Sequence, residues 1–164
     1  MEPISRVLEL ARSLLENGSA DEARTVLRDA AAHHRQAATG EALRLFLMLA
    51  KVERASSAWD ELSESERSSL ETALSLAQSI HGAGSPQAAQ VHELLGAALH
   101  ASGDAAESVP HMEEVVSAAE WWHGRGVLLA NALIGLGQAL LDSAQAERAL
   151  AAFERAIENA RDGE

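Results

Sequence analysis

The strongest constraint in this chain is that it repeats itself. Gly96 and Gly137 lie 41 residues apart, as do Leu99 and Leu140, while His81-Gly82 and His123-Gly124 lie 42 apart. A fixed period of this length marks one supersecondary unit that cannot bury its apolar face alone and does so by stacking on its neighbours.

The punctuation says what the unit is. Pro3 suits a first helical turn, and Val7, Leu10, Ala11 and Leu14 follow at helical spacing until Gly18. Ser19-x-x-Glu22, Ser63-x-x-Glu66 and Asp104-x-x-Glu107 read as capping boxes, and Ser85-Pro86 as an N-cap with a first-turn Pro. Thr39 or Gly40 opens a further helix through about Arg54, and two more cover about Val127–Ser143 and Ala146–Arg161. No window alternates convincingly with period two. Ala and Leu dominate, with two Phe and no Tyr, which favours helix over strand. The expectation is an all-α single domain of about eight antiparallel helices in four hairpins, with units near 3–36, 39–81, 85–123 and 126–161.

In the last unit Leu133, Leu136, Gly137 and Leu140 share one helix face, Ala144 marks the turn, and Ala149, Phe153 and Ala156 follow on the next helix. The first unit repeats the scheme with Ala11, Leu14, Gly18, Ala23, Leu27 and Ala30. This pattern resembles the tetratricopeptide repeat, in which small residues let two helices approach closely. Gly82, Pro86 and Gly96 in "SIHGAGSPQAAQVHELLG", and Pro110 in "AAESVPHM", resemble the 42-residue repeats of kinesin light chains and of many bacterial regulators. The resemblance covers most of the chain, and unit two, with its 55–63 loop, departs from it. It implies an α-α superhelix whose first helices line a concave groove.

Motifs with chemical associations give way to structural readings. His92–Gly96 begins like a zinc-protease motif, but Gly96 stands where the second ligand belongs, and His100 lies about 12 Å further along a helix. Gly82-Ala83-Gly84-Ser85 lacks the Lys of a phosphate loop and the third Gly of a dinucleotide turn. Ser85 has no identifiable base. No Cys is present, which removes disulfides, thiolate chemistry and Cys-ligated metal. Non-catalytic function without cofactor or metal is expected. His81 and His123 precede Gly caps, where a partial positive charge interacts favourably with a helix C-terminus.

Net charge is −12, which argues against nucleic acid as a partner. The run Gly126–Leu141 is 16 residues long and contains Asn131 and Gln138, too short and polar for a membrane span. The N-terminus has charges at regular intervals and reads as no signal peptide, so a cytoplasmic location is expected. Arg far outnumbers Lys, with abundant Ala, a composition that hints at a bacterial source.

Within the implied groove, Arg44, Lys51 and Arg54 form a basic stripe on the third helix with Leu47 beside it, and Leu8 and Arg12 join it from the first. This stripe suits an acidic or carboxylate-bearing peptide. The C-terminal half of the groove is expected to be lined by Gln90, Glu93, Ala97, His100, Asn131, Ile134, Gln138 and Leu141, where amides can hold an extended backbone. Trp122 is expected at the repeat interface, Trp121 more exposed and able to anchor a partner, and Trp59 to offer a second anchor in the long loop. The function expected is a scaffold or adaptor for a protein or peptide partner, with a stand-alone ligand-sensing regulatory module as the alternative. Opposite charges in the two halves, and a last hairpin without an obvious polar cap, also permit homo-oligomers.

Overall fold

A computed structural model describes residues 3–56, 62–124 and 126–161. The chain divides into two compact units, Met1–Gly82 and Ala83–Glu164. The first holds α1 (Ile4–Glu16), α2 (Ala20–His34), α3 (Gly40–Ser56) and α4 (Glu64–His81). The second holds α5 (Pro86–Ala101), α6 (Ala105–His123), α7 (Val127–Asp142) and α8 (Ala146–Arg161). Each helix packs on the next within its unit, and α1 also meets α3. The expectation of an all-α chain of sequential hairpins holds.

The turns inside three hairpins are one device used three times. Gly18 N–H donates to Leu15 O and Ser19 N–H to Leu14 O; Gly103 and Asp104 do the same to His100 and Leu99, and Ala144 and Gln145 to Leu141 and Leu140. This is the Schellman arrangement, which satisfies orphan carbonyls and needs a left-handed residue at its corner. Gly18 and Gly103 supply it at φ +80° and +88°, and Ala144 adopts φ +62° without being glycine.

The starts of the helices are less uniform than the capping boxes suggest. Thr39, Ser63 and Ser85 accept from the N–H of Ala42, Glu66 and Ala88 at 3.1–3.2 Å. Ser19 and Asp104 make no side-chain cap bond. Glu66 does not complete its box by reaching back to Ser63, because its carboxylate is drawn to Arg54. Pro110 sits inside α6, which runs unbroken from Ala105 to His123.

The core of the second unit joins Val109, Met112 and Val116 of α6 to Leu129, Leu133, Leu136 and Leu140 of α7 and Ala149, Ala152 and Ala156 of α8. Close approach within its hairpins is real. A Cβ on Gly137 would lie 2.6 Å from the Phe153 ring, and one on Gly96 would lie 2.7 Å from the Met112 terminal methyl. In the first unit Ala11, Ala23, Leu27, Leu45, Ala73 and Ala77 are fully buried. Two acids are buried with them, Glu53 and Glu66 at 2% exposure each, which nothing in the periodicity announced.

Candidate functional site

The second unit contains a groove with α5 and α7 as walls and α6 as floor. It follows from the repeat itself: the first helix of each hairpin keeps one strip free of the core, and stacking sets the two strips side by side. One cavity of about 250 Å³ is lined by Pro86, Ala89, Gln90 and Glu93 of α5, by Val115, Ala118, Ala119 and Trp122 of α6, and by Leu128, Asn131 and Ala132 of α7. A second, of about 230 Å³, is lined by Glu93, Ala97 and His100, by Ser108, Met112 and Val115, and by Asn131, Ala132, Gly135 and Gln138. Glu93, Val115, Asn131 and Ala132 belong to both, so the two cavities adjoin.

Of the residues expected here, Gln90, Glu93, Ala97, His100, Asn131 and Gln138 are brought together around these two cavities. Ile134 and Leu141 line neither and are exposed on α7. His100 Nε2 lies 2.6 Å from Asp142 Oδ2, tying α5 to α7 across one end of the groove. Ser108 Oγ donates to the Gly96 carbonyl, fixing α6 to α5 beneath it. The side chains of Gln90, Glu93, Asn131 and Gln138 make no hydrogen bond or ion pair to another described residue.

Trp122 closes the other end. Its Nε1 donates to Gly84 O at 2.7 Å and its ring lines the first cavity. Trp121 points away, 82% exposed, and contributes to neither cavity. The residue that lines the groove is thus the Trp that the kinesin-light-chain spacing set at the repeat interface. Trp59 lies outside the described residues, as does the side chain of His123.

The first unit treats its basic stripe unevenly. Arg12, Arg44 and Lys51 are exposed, and Leu8 and Leu47 half-buried. Arg54 leaves the stripe: its Nε is 2.8 Å from Glu66 Oε1, in a pair with side chains 24% and 3% exposed. Ten residues of helix carry Arg54 about 80° around from Arg44, far enough to turn its guanidinium toward α4. Burial raises the Glu66 carboxyl above its ordinary pKa of 4.5, with Arg54 opposing the shift. Glu53, buried one residue before Arg54, accepts from Arg28 Nε at 3.0 Å, Ser69 Oγ at 3.1 Å and Ser65 Oγ. A cavity of about 630 Å³ between α2, α3 and α4 is lined by Arg28, Arg35, Phe46, Leu49 and a row of serines, and none of the expected binding residues reaches it.

His92, the first residue of the zinc-protease-like motif, is buried with its Nδ1 2.9 Å from Nδ1 of His111. Desolvation lowers its pKa below 6.5, against a smaller raising influence of Glu114. Among the described residues no three His, Asp or Glu side chains gather to hold a metal ion, and no helix is long and apolar enough to cross a membrane.

Comparison with known proteins agrees with the geometry. The Tetratricopeptide repeat family model matches residues 93–162. BtubC (BKLC) from P. vanneervenii has a similar structure, with a TM-score of 0.75 at 19% identity, covering 91% of this chain and 59% of that one. This chain therefore spans less than two-thirds of that protein. A kinesin-light-chain-like protein of Podosopora anserina, built of nearly identical TPR-like repeats, gives 0.74 at 22% identity over 96% of this chain and 76% of that one. A double mutant of MamA from RS-1 gives 0.68 at 19% identity, over 94% and 74%. At such identities the likeness is one of fold. No curated protein sequence matches the chain. The tetratricopeptide-repeat match thus covers residues 93–162, and along nearly its whole length the chain is similar in fold to kinesin-light-chain-like repeats and to MamA.

Proposed function

We propose that the chain is a non-catalytic adaptor whose α5–α7 groove holds an extended segment of a protein partner. The family supports the general part, since tetratricopeptide-repeat domains generally serve protein–protein interaction. The observation that carries the particular part is that Gln90, Glu93, Asn131 and Gln138 line one groove with their hydrogen-bonding capacity unspent. Buried polar groups of an incoming backbone need partners, and amides on both walls supply donors and acceptors to an extended strand. A groove formed by packed helices is in place before binding, so a partner loses only its own freedom on docking.

The exposed Arg44 and Lys51 of the first unit support a second contact, with an acidic segment of a partner. The test is affinity capture from the native host, comparing wild type with Gln90→Ala/Asn131→Ala/Gln138→Ala and with Arg44→Glu/Lys51→Glu, each first shown to be folded by circular dichroism. Arg54 stays unchanged, because it holds a buried acid. A partner lost with the amide variant supports the groove; one lost only with the charge reversal moves the site to the first unit. A melting temperature raised by a small effector, with no protein captured, supports the regulatory-module alternative instead.

A further inference from the structure

We infer that the α5–α7 groove selects a partner segment in which an apolar side chain stands two residues from a Lys or Arg. This rests on the groove proposed above and specifies its ligand.

Charge is the first argument. Glu93 lines both cavities, is exposed, and has no ion-pair partner among the described residues. The other acid at the groove, Asp142, is engaged by His100. No cation balances Glu93 from any wall: α5, α6 and α7 contain neither Lys nor Arg. The Arg residues described in this unit all lie on α8, which lines neither cavity, and Arg148 and Arg155 are paired there with Glu113 and Glu120. A cationic side chain laid against Glu93 meets a complementary charge, and an acidic one meets repulsion, which is how interfaces reject wrong partners.

Shape is the second. Away from Glu93, the first cavity is walled by Pro86, Ala118, Ala119, Trp122 and Leu128. The alanines on its floor leave the room that larger residues would fill, and its volume of about 250 Å³ suits one aliphatic or aromatic side chain. Pockets of this kind, apolar with a few placed polar groups, are where anchors bind.

Spacing joins the two. The cavities share Glu93 and Asn131. In an extended segment, side chains two residues apart leave the same face about 6.5 Å from one another. One such segment, running over Asn131, sets an apolar side chain in the first cavity and a basic one beside Glu93.

The experiment is a random dodecapeptide display library panned on wild type, Glu93→Lys and the groove-filling variant Asn131→Trp, both changes being at exposed positions. Wild type is expected to enrich clones with Leu, Met or Phe two residues from Lys or Arg by about tenfold over their acidic counterparts, a difference of about 1.4 kcal/mol. Glu93→Lys reverses that preference. Enriched clones that are neutral or acidic, or that do not change with Glu93→Lys, overturn the inference while leaving the groove as the site. Clones that bind Asn131→Trp as well as wild type do not use the groove, and overturn both.

Discussion

At the scale of single residues, Ala144 occupies a conformation that its counterparts reserve for glycine. It sits at φ +62° where Gly18 and Gly103 sit at +80° and +88°, and its Cβ is the source of the left-handed penalty. Ala144→Gly is expected to raise stability by about 0.5–1 kcal/mol, less than the full penalty because glycine also loosens the unfolded chain. A chemical-denaturation midpoint moving upward checks it. The two packing glycines should respond unequally to alanine. At Gly137 the new Cβ meets three atoms of the Phe153 ring within 2.9 Å, and this half-buried ring, packed against the core, is rigid and can give way only as a whole. A net loss of about 1–2 kcal/mol is expected even after the gain in helix propensity. At Gly96 the closest atom is the flexible end of Met112, so the same change should fall within about 0.5 kcal/mol of neutral. Equal melting shifts for the two variants would remove the distinction. The 41-residue spacing of these glycines was plain in the sequence; which of them is backed by a rigid ring was not, because that depends on the rotamer of a residue on another helix.

Among the elements, α3 shows where helical periodicity stops being informative. It set Arg44, Lys51 and Arg54 on one face, and two of the three are exposed together. Arg54 was lost from the stripe because a partner on α4, invisible to the period of α3, offers a buried carboxylate. Replacing Arg54 by Met strands Glu66, whose second oxygen already has no partner. A cost of about 2 kcal/mol is expected, discounted because Arg54 is itself partly solvated and Glu66 can protonate. Arg44→Met should cost less than about 0.5 kcal/mol. Denaturation of the two variants side by side reads the contrast, and similar losses would mean that Arg54 is only a surface charge. The repeat makes a comparable point on α8. Leu150 and Ile157 occupy the positions that Val109 and Val116 hold 41 residues earlier, yet they are 60% and 53% exposed where the valines are 5%. Val116→Ala should cost about 2 kcal/mol, and Ile157→Ala almost nothing. An apolar residue of the consensus is a core residue only where a following hairpin covers it.

For the molecule as a whole, the two units should answer acid in opposite ways. His92 in the second has its pKa lowered by burial, so below 6.5 the unfolded chain takes up a proton that the folded one refuses. The stability this confers is present above 6.5 and is lost as pH falls through the folded-state value. Glu66 in the first has its pKa raised, so the folded form binds the proton more tightly. That unit gains stability as pH falls through the raised value, and the gain is complete below 4.5. Hydrogen exchange, corrected for its intrinsic pH dependence, should show α5 and α6 losing protection below pH 6.5 and α4 keeping or gaining it; His92→Leu should abolish the loss. Uniform behaviour in both units would contradict these assignments.

What the sequence determined by itself is whatever recurs or is local: the eight helices of the described residues, their turns, the small residues at the closest approaches, and the likeness to tetratricopeptide repeats, since spacing and capping act within a few residues of chain. It also placed Gln90, Glu93, His100, Asn131 and Gln138 on the free strips of α5 and α7, because helical register is nearly exact over one hairpin. Only the tertiary structure decided which charges are spent. Arg54 went to Glu66, Arg28 to Glu53 and His100 to Asp142, while Glu93 was left without an ion-pair partner among the described residues. The reason is physical: an ion pair is settled by a few ångströms between side chains of different helices, and no one-dimensional period carries that distance.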